Sequence, residues 1–169
     1  MKALRRVISV ICLLLASPGA VGAMPIDLSV ERLFDLCASA SVAAAAKTGD
    51  QLGWERLAEA EIEDWRAGFV AHNGGSVELV GWKRVRDGKA ETTSFWIATG
   101  PNAHKGCTYG TEDAASFLDA LTEWLGEPDS LEEYDDVEAV TAWWERDDGE
   151  YSFSQVGASA SVLIKPNWP

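Results

Sequence analysis

The chain has 169 residues, with 27 acidic side chains against 14 basic ones and a formal net charge of −13. A surface this acidic repels the phosphates of nucleic acids and of anionic lipid, so neither is an expected partner, whereas a cationic protein is compatible with it. The length suits one domain with a real core, and no Gly/Ser/Pro-rich linker or internal repeat divides it.

Residues 1–23 read as a cleaved secretory signal peptide. Lys2, Arg5 and Arg6 form its charged head, Val7 to Ala16 its apolar centre, and Val21 and Ala23 the small residues before a cut at Met24. The apolar run is roughly half the ~20 residues of a spanning helix, so no membrane insertion is expected. Cys12 follows Ile11, where a lipoprotein signal would place a small residue. The expected product is therefore a single α+β domain, residues 24–169, exported to the periplasm or outside the cell. Losing three basic residues and no acidic one leaves 11 Lys and Arg against 27 Asp and Glu, a charge of −16. Two cysteines remain, Cys37 and Cys107, and an even number in an exported chain reads as a disulfide.

Asp27 or Ser29 caps a first predicted helix, with Val30, Leu33, Phe34, Cys37 and Ala44 at helical spacing and Gly49 as its stop. A second helix is predicted from about Glu55 to Ala71, carrying Ile62, Trp65, Phe69 and His72 on one stripe. Two strand-type runs then flank Asp87-Gly88, the strongest short-range hairpin pattern, which sets Arg84 opposite Glu91 and Val80 opposite Phe95. The segment from Ala103 to Gly110, with Cys107 inside it, reads as a loop. Thr111 caps a third helix, in which Ala114, Phe117, Leu118, Leu121 and Leu125 share a face before Gly126 and Pro128.

Glu127 to Glu150 holds eleven carboxylates against Arg146 alone. Its first half reads as a solvated loop, free to lie against Lys83, Arg84, Arg86 and Lys89. Val137 to Arg146 reads as a strand carrying Trp143 and Trp144. Asp148-Gly149 then turns into Tyr151 to Ser154, and Ser159 to Lys165 is a last strand. The fold expected is an antiparallel sheet of about four to five strands from two hairpins, with about three helices packed mainly on one face.

Candidate chemistry is sparse. His104 and Cys107 have metal-ligand spacing, but Cys107 is better used in a disulfide and only His72 adds an imidazole, so no metal site or cofactor is expected. Asp135, Asp136 and Glu138 lack the glycine and later Glu of a calcium loop. No G-x-S-x-G elbow is present, and His72 and His104 are the only candidate histidine bases. Adjacent Trp143 and Trp144 on a strand must face opposite ways, so one of them can stand exposed for a sugar or a protein partner.

The pattern Phe34-x-x-Cys37, then Gly53-Trp54 and a later Cys107, resembles small uncharacterised exported proteins of Gram-negative bacteria. The resemblance implies a bacterial source and an export address, and no activity. Two functions follow as expectations. The first is a non-enzymatic periplasmic or secreted acidic binding module, stapled by Cys37–Cys107, with Trp143, Trp144, Asp135, Asp136 and Glu138 as its binding surface. The second is a hydrolase of envelope polymers with His72 or His104 as acid or base.

Overall fold

A computed structural model of the chain describes residues 27–114 and 116–167. The expected signal peptide, its cleavage point and Trp168 lie outside the described residues. In chain order the elements are α1 (Val30–Cys37), α2 (Val42–Gly49), β1 (Glu55–Arg56), α3 (Glu59–Asn73), β2 (Ser76–Arg86), β3 (Lys89–Thr99) and β4 (His104–Thr111). Then follow α4 (Phe117–Leu125), β5 (Ser130–Tyr134), β6 (Ala139–Arg146), β7 (Gly149–Val156) and β8 (Ser159–Pro166). The strands make one antiparallel sheet in the order β1-β2-β3-β4-β8-β7-β6-β5. Two four-stranded meanders thus meet at a central β4–β8 seam, and α4 carries the chain from that seam to the far edge at β5.

The β2–β3 hairpin has its expected register, Arg84 opposite Glu91 and Val80 opposite Phe95. Asp87 and Gly88 both take positive φ, 51° and 78°, which matches the turn to the twist of the strands. The second hairpin turns one residue earlier than its sequence predicts, at Asp147-Asp148, with Gly149 opposite Arg146 inside the ladder.

The class is α+β, but the expected sheet of four to five strands and its set of about three helices are incorrect. Among the described residues the sheet has eight strands, and four α-helices are divided between its two faces. The missed strands have identifiable causes. In β4, Gly106 and Gly110 depress strand propensity, yet this is a central strand. A side chain at Gly106 would place its Cβ 2.6 Å from the Trp96 ring, so the glycine lets an indole lie on the backbone. β5 reads Ser-Leu-Glu-Glu-Tyr and is exposed throughout, so its acid mimics a loop. β1 has only two residues.

The long first helix is two. Ser41 caps α2 by accepting from the Ala44 amide at 3.1 Å, as Ser29 caps α1 through Arg32 at 3.3 Å. Serines that can bond the backbone locally offer it an alternative to the helix, and the Ser39–Ser41 stretch takes it. At this break the buried Lys105 donates to the Ser39 carbonyl at 3.3 Å, and burial holds its ammonium below the usual lysine range. The expected cap at Thr111 is also corrected. Thr111 ends β4, where its Oγ1 accepts from the Asp113 amide at 2.9 Å, and α4 begins only after Ser116.

One face of the sheet carries the main core. Leu33, Leu36 and Cys37 of α1, Ala45 of α2 and Leu121 of α4 pack on Trp82, Phe95, Tyr109, Trp144, Phe153 and Ile164. The Cys37–Cys107 disulfide, with Cα atoms 5.5 Å apart, ties the end of α1 to the middle of β4. On the other face α3 covers only the β2–β3 half, burying Ile62 against Leu57, Val77, Leu79, Trp96 and Ala98. Glu61 fastens it, accepting from the Ala58 amide at 2.8 Å and from Lys83 Nζ at 2.9 Å. The rest of that face, across β8, β7 and β6, carries Ser, Thr, Trp143 and the charged Glu145, Glu150 and Lys165, with only Leu163 and Val156 as larger aliphatic side chains, so it stays stable without a cover.

Candidate functional site

Two regions hold the residues that chemistry would use. The first is the acidic arm formed by β5, β6 and the turn between them. Trp144 is not part of any surface there: it is fully buried, and its indole N–H donates to the Gly126 carbonyl at 2.9 Å. Trp143 points the other way and is 37 % exposed. Asp135, Asp136 and Glu138 are exposed in the short turn after Tyr134. Trp143 pairs with Ser130, whereas the turn closes at Tyr134 opposite Ala139. Four residues at ~3.4 Å put Trp143 about 14 Å along the strand from that turn, so the tryptophan and the acids are not one cluster. Beside the acids stand exposed side chains that sequence reading missed: Leu131, Tyr134, Val137 and Val156. Tyr134, Ala139 and Val156 are neighbours in one row across β5, β6 and β7. Scattered singly in sequence, these residues gave no pattern, and only the ladder assembles them.

The basic residues once expected against the arm lie at the other edge of the sheet with partners of their own. Lys83 pairs with Glu61 and Glu55, Arg84 with Glu91 and Asp27, Arg86 with Asp27, and Lys89 with Asp113. Within the arm Arg146 holds Asp129 at 2.8 Å, and the Glu145 amide together with that guanidinium keeps the Asp129 carboxyl below its ordinary range. Glu132, Glu133, Asp135, Asp136 and Glu138 have no cation at ion-pair distance among the described residues. Their charge faces solvent.

The second region is a cleft of about 770 Å³ between α3 and the open part of the sheet. Trp65, Phe69, His72 and Asn73 of α3 form one wall. Ser94 and Trp96 of β3, His104 and Thr108 of β4, and Leu163 and Lys165 of β8 form the floor. Helical spacing puts Trp65, Phe69 and His72 on one side of α3, and strand alternation puts Ser94 and Trp96 on the sheet face beneath them. The Trp96 ring lies 5.0 Å from Phe69, and its N–H donates to His104 Nε2 at 3.1 Å.

Both candidate bases therefore reach the same cleft, but they differ. An indole only donates, so His104 Nε2 must accept, and its proton sits on Nδ1, 2.9 Å from the Asn102 carbonyl that receives it. Both ring nitrogens are occupied in holding the Asn102 loop to Trp96. His72 is exposed on α3. Among the described residues no Asp or Glu lines the cleft, and no side chain bonds Ser94 to activate it as a nucleophile. Among the described residues no three His, Cys, Asp or Glu side chains converge as metal ligands, and the sulfur of Cys107 is committed to Cys37.

Ser94 is the anomaly of this site. It is fully buried, and its hydroxyl has no hydrogen-bond partner among the described residues. A buried unpartnered hydroxyl costs free energy that an alanine would not. Ser94→Ala is therefore expected to raise the unfolding free energy by about 1 kcal/mol, read as a higher urea midpoint at unchanged slope. A lowered midpoint would mean that the hydroxyl is bonded within the protein.

No family model matches the chain, and no curated protein and no solved structure shows detectable similarity to it.

Proposed function

We propose that this protein is a non-enzymatic, exported, acidic binding module that takes a cationic protein segment at the edge of its sheet, along β5. The observation that carries this reading is the character of that edge. β5 is the last strand of the sheet, is exposed at all five positions, and combines unpaired carboxylates with exposed Leu131, Tyr134 and Val137. An edge strand offers free backbone groups to an added strand, and its side chains select which strand. Here the acid opposes pairing with a second copy of the same chain and favours a segment bearing Lys or Arg between apolar residues. The Cys37–Cys107 bond and the basic-headed apolar segment of residues 1–23 support an oxidising destination in the periplasm or outside the cell.

The hydrolase reading has no comparable support. His104 is bonded at both ring nitrogens, no carboxylate of the described residues lines its cleft, and His72 alone makes no acid–base pair.

Titration with an alternating Lys/Val peptide and with a set of cationic proteins tests the proposal. Binding should weaken by about tenfold or more between 50 and 300 mM salt, because exposed charges carry much of it. The variant Glu133→Lys, Asp135→Lys, Asp136→Lys should lose it. Failure of every probe to bind at low salt, or binding that the triple variant retains, would refute the reading.

A further inference from the structure

The open face of the sheet carries an observation that the acidic edge does not use. Following the register inward from β5, one row of residues runs Ser130–Trp143–Ser152–Leu163–Thr108–Ser94. The next row runs Glu132–Thr141–Ser154–Ser161–Gly110–Thr92. The first row starts in a shallow depression lined by Ser130, Glu132, Thr141, Trp143, Ser152 and Ser154, and ends in the cleft under α3. It spans five strand spacings of ~4.8 Å, about 24 Å across the strands.

We propose that this face is a binding groove for a neutral linear glycan lying perpendicular to the strands. A sugar ring shows a weakly apolar C–H face and a rim of hydroxyls, so it is recognised by an aromatic plane with short hydroxyl, amide and carboxylate groups around it. The groove has that composition. Trp143, 37 % exposed, stands at the β5 end, and Trp65, also 37 % exposed, stands at the mouth of the cleft. Between them the side chains are serine, threonine and one leucine, small enough for a polymer to approach the sheet closely. The inner row carries no charged side chain, although the chain bears 27 acidic residues, so that row suits an uncharged ligand, with Glu132 at one end of the face and the Glu150–Lys165 pair beside it. A second copy of this chain is a poor occupant, since Glu132, Glu145 and Glu150 would meet their own counterparts. The buried Ser94 hydroxyl, lining the cleft with no partner among the described residues, is where a ligand hydroxyl completes the hydrogen bonding.

This site is independent of the proposed edge function, and salt separates the two. Glycan binding should change little between 50 and 300 mM salt, because neutral partners release no counterions. The test is intrinsic tryptophan fluorescence and calorimetry with neutral disaccharides and hexasaccharides of β-1,4- and α-1,4-linked glucose, β-1,4-mannose and β-1,4-N-acetylglucosamine. At least one hexasaccharide should bind about tenfold or more tightly than its disaccharide, because only the longer chain spans both aromatic ends. Trp143→Ala should erase that length dependence. Ser94→Ala should weaken both by about tenfold while the protein stays folded, which a purely structural serine would not do. No binding by any member of the panel, or hexasaccharide binding insensitive to both variants, would overturn the proposal. Binding without length dependence would also overturn it, since it reduces the groove to a small-molecule cleft.

Discussion

Replacing Cys37 and Cys107 together by alanine is expected to lower the unfolding free energy by about 4 kcal/mol, measured as a fall in urea midpoint. The bond closes a loop with a sequence separation of 70 residues, and the chain entropy it removes from the unfolded state grows with that length. Its position adds to the effect. Cys37 and Cys107 are 1 % and 0 % exposed, and Cys107 lies in the central strand between Phe95 and Ile164. The bridge holds α1, whose Leu33 and Leu36 fill the main core, onto the seam of the sheet. Against a typical net stability of about 5–15 kcal/mol, the loss is large enough to leave a marginal fold. Alkylation of the denatured, unreduced protein should label neither cysteine. Labelling of both, or an unchanged midpoint, would contradict the assignment.

Arg84→Met is expected to cost about 3–5 kcal/mol, the usual penalty for leaving a buried charge without its partner. Glu91 is 3 % exposed, bonded to Arg84 Nε on one side and to the Tyr109 hydroxyl at 2.6 Å on the other. Burial, together with the hydrogen bond to Glu91, pushes the Tyr109 phenol well above its ordinary range, so it remains a donor at any workable pH. Arg84 also bonds Asp27 at 3.0 Å and stacks 4.5 Å above the Trp54 ring. Without the Arg84 guanidinium, Glu91 keeps the Tyr109 hydrogen bond and only a long contact to Arg86 at 3.9 Å. The double variant Arg84→Met, Glu91→Leu should recover most of the loss. A cost under about 1 kcal/mol for the single variant would show that solvent already reaches the pair.

What could be read from the residues follows the range of the interactions involved. The Asp87-Gly88 hairpin and its register were legible because the turn and the Arg84–Glu91 and Val80–Phe95 pairs are local. The Cys37–Cys107 pairing was legible because only two cysteines remained to join. The strand His104–Thr111 was not, since its Gly106 serves a packing need created by Trp96, ten residues earlier in the chain. The strand Ser130–Tyr134 was hidden by its acid, because an exposed edge needs no hydrophobic alternation. The cleft was invisible for a further reason. His72 and His104 line one cleft only because α3 lies over β2 and β3, and β8 joins β4 from the far end of the chain. Nothing about Ser94 in isolation separates it from Ser152 or Ser154. Its burial without a partner exists only once the helix is in place.

Backbone hydrogen exchange of the protein with and without the alternating Lys/Val peptide, read residue by residue, tests the edge-docking claim most directly. Amides of Ser130 to Tyr134 should gain protection when the peptide adds as a strand, with smaller gains in β6 and no change in β2 or β3. Saturating binding that leaves β5 as exchangeable as before, or that protects another surface instead, would contradict docking at this edge.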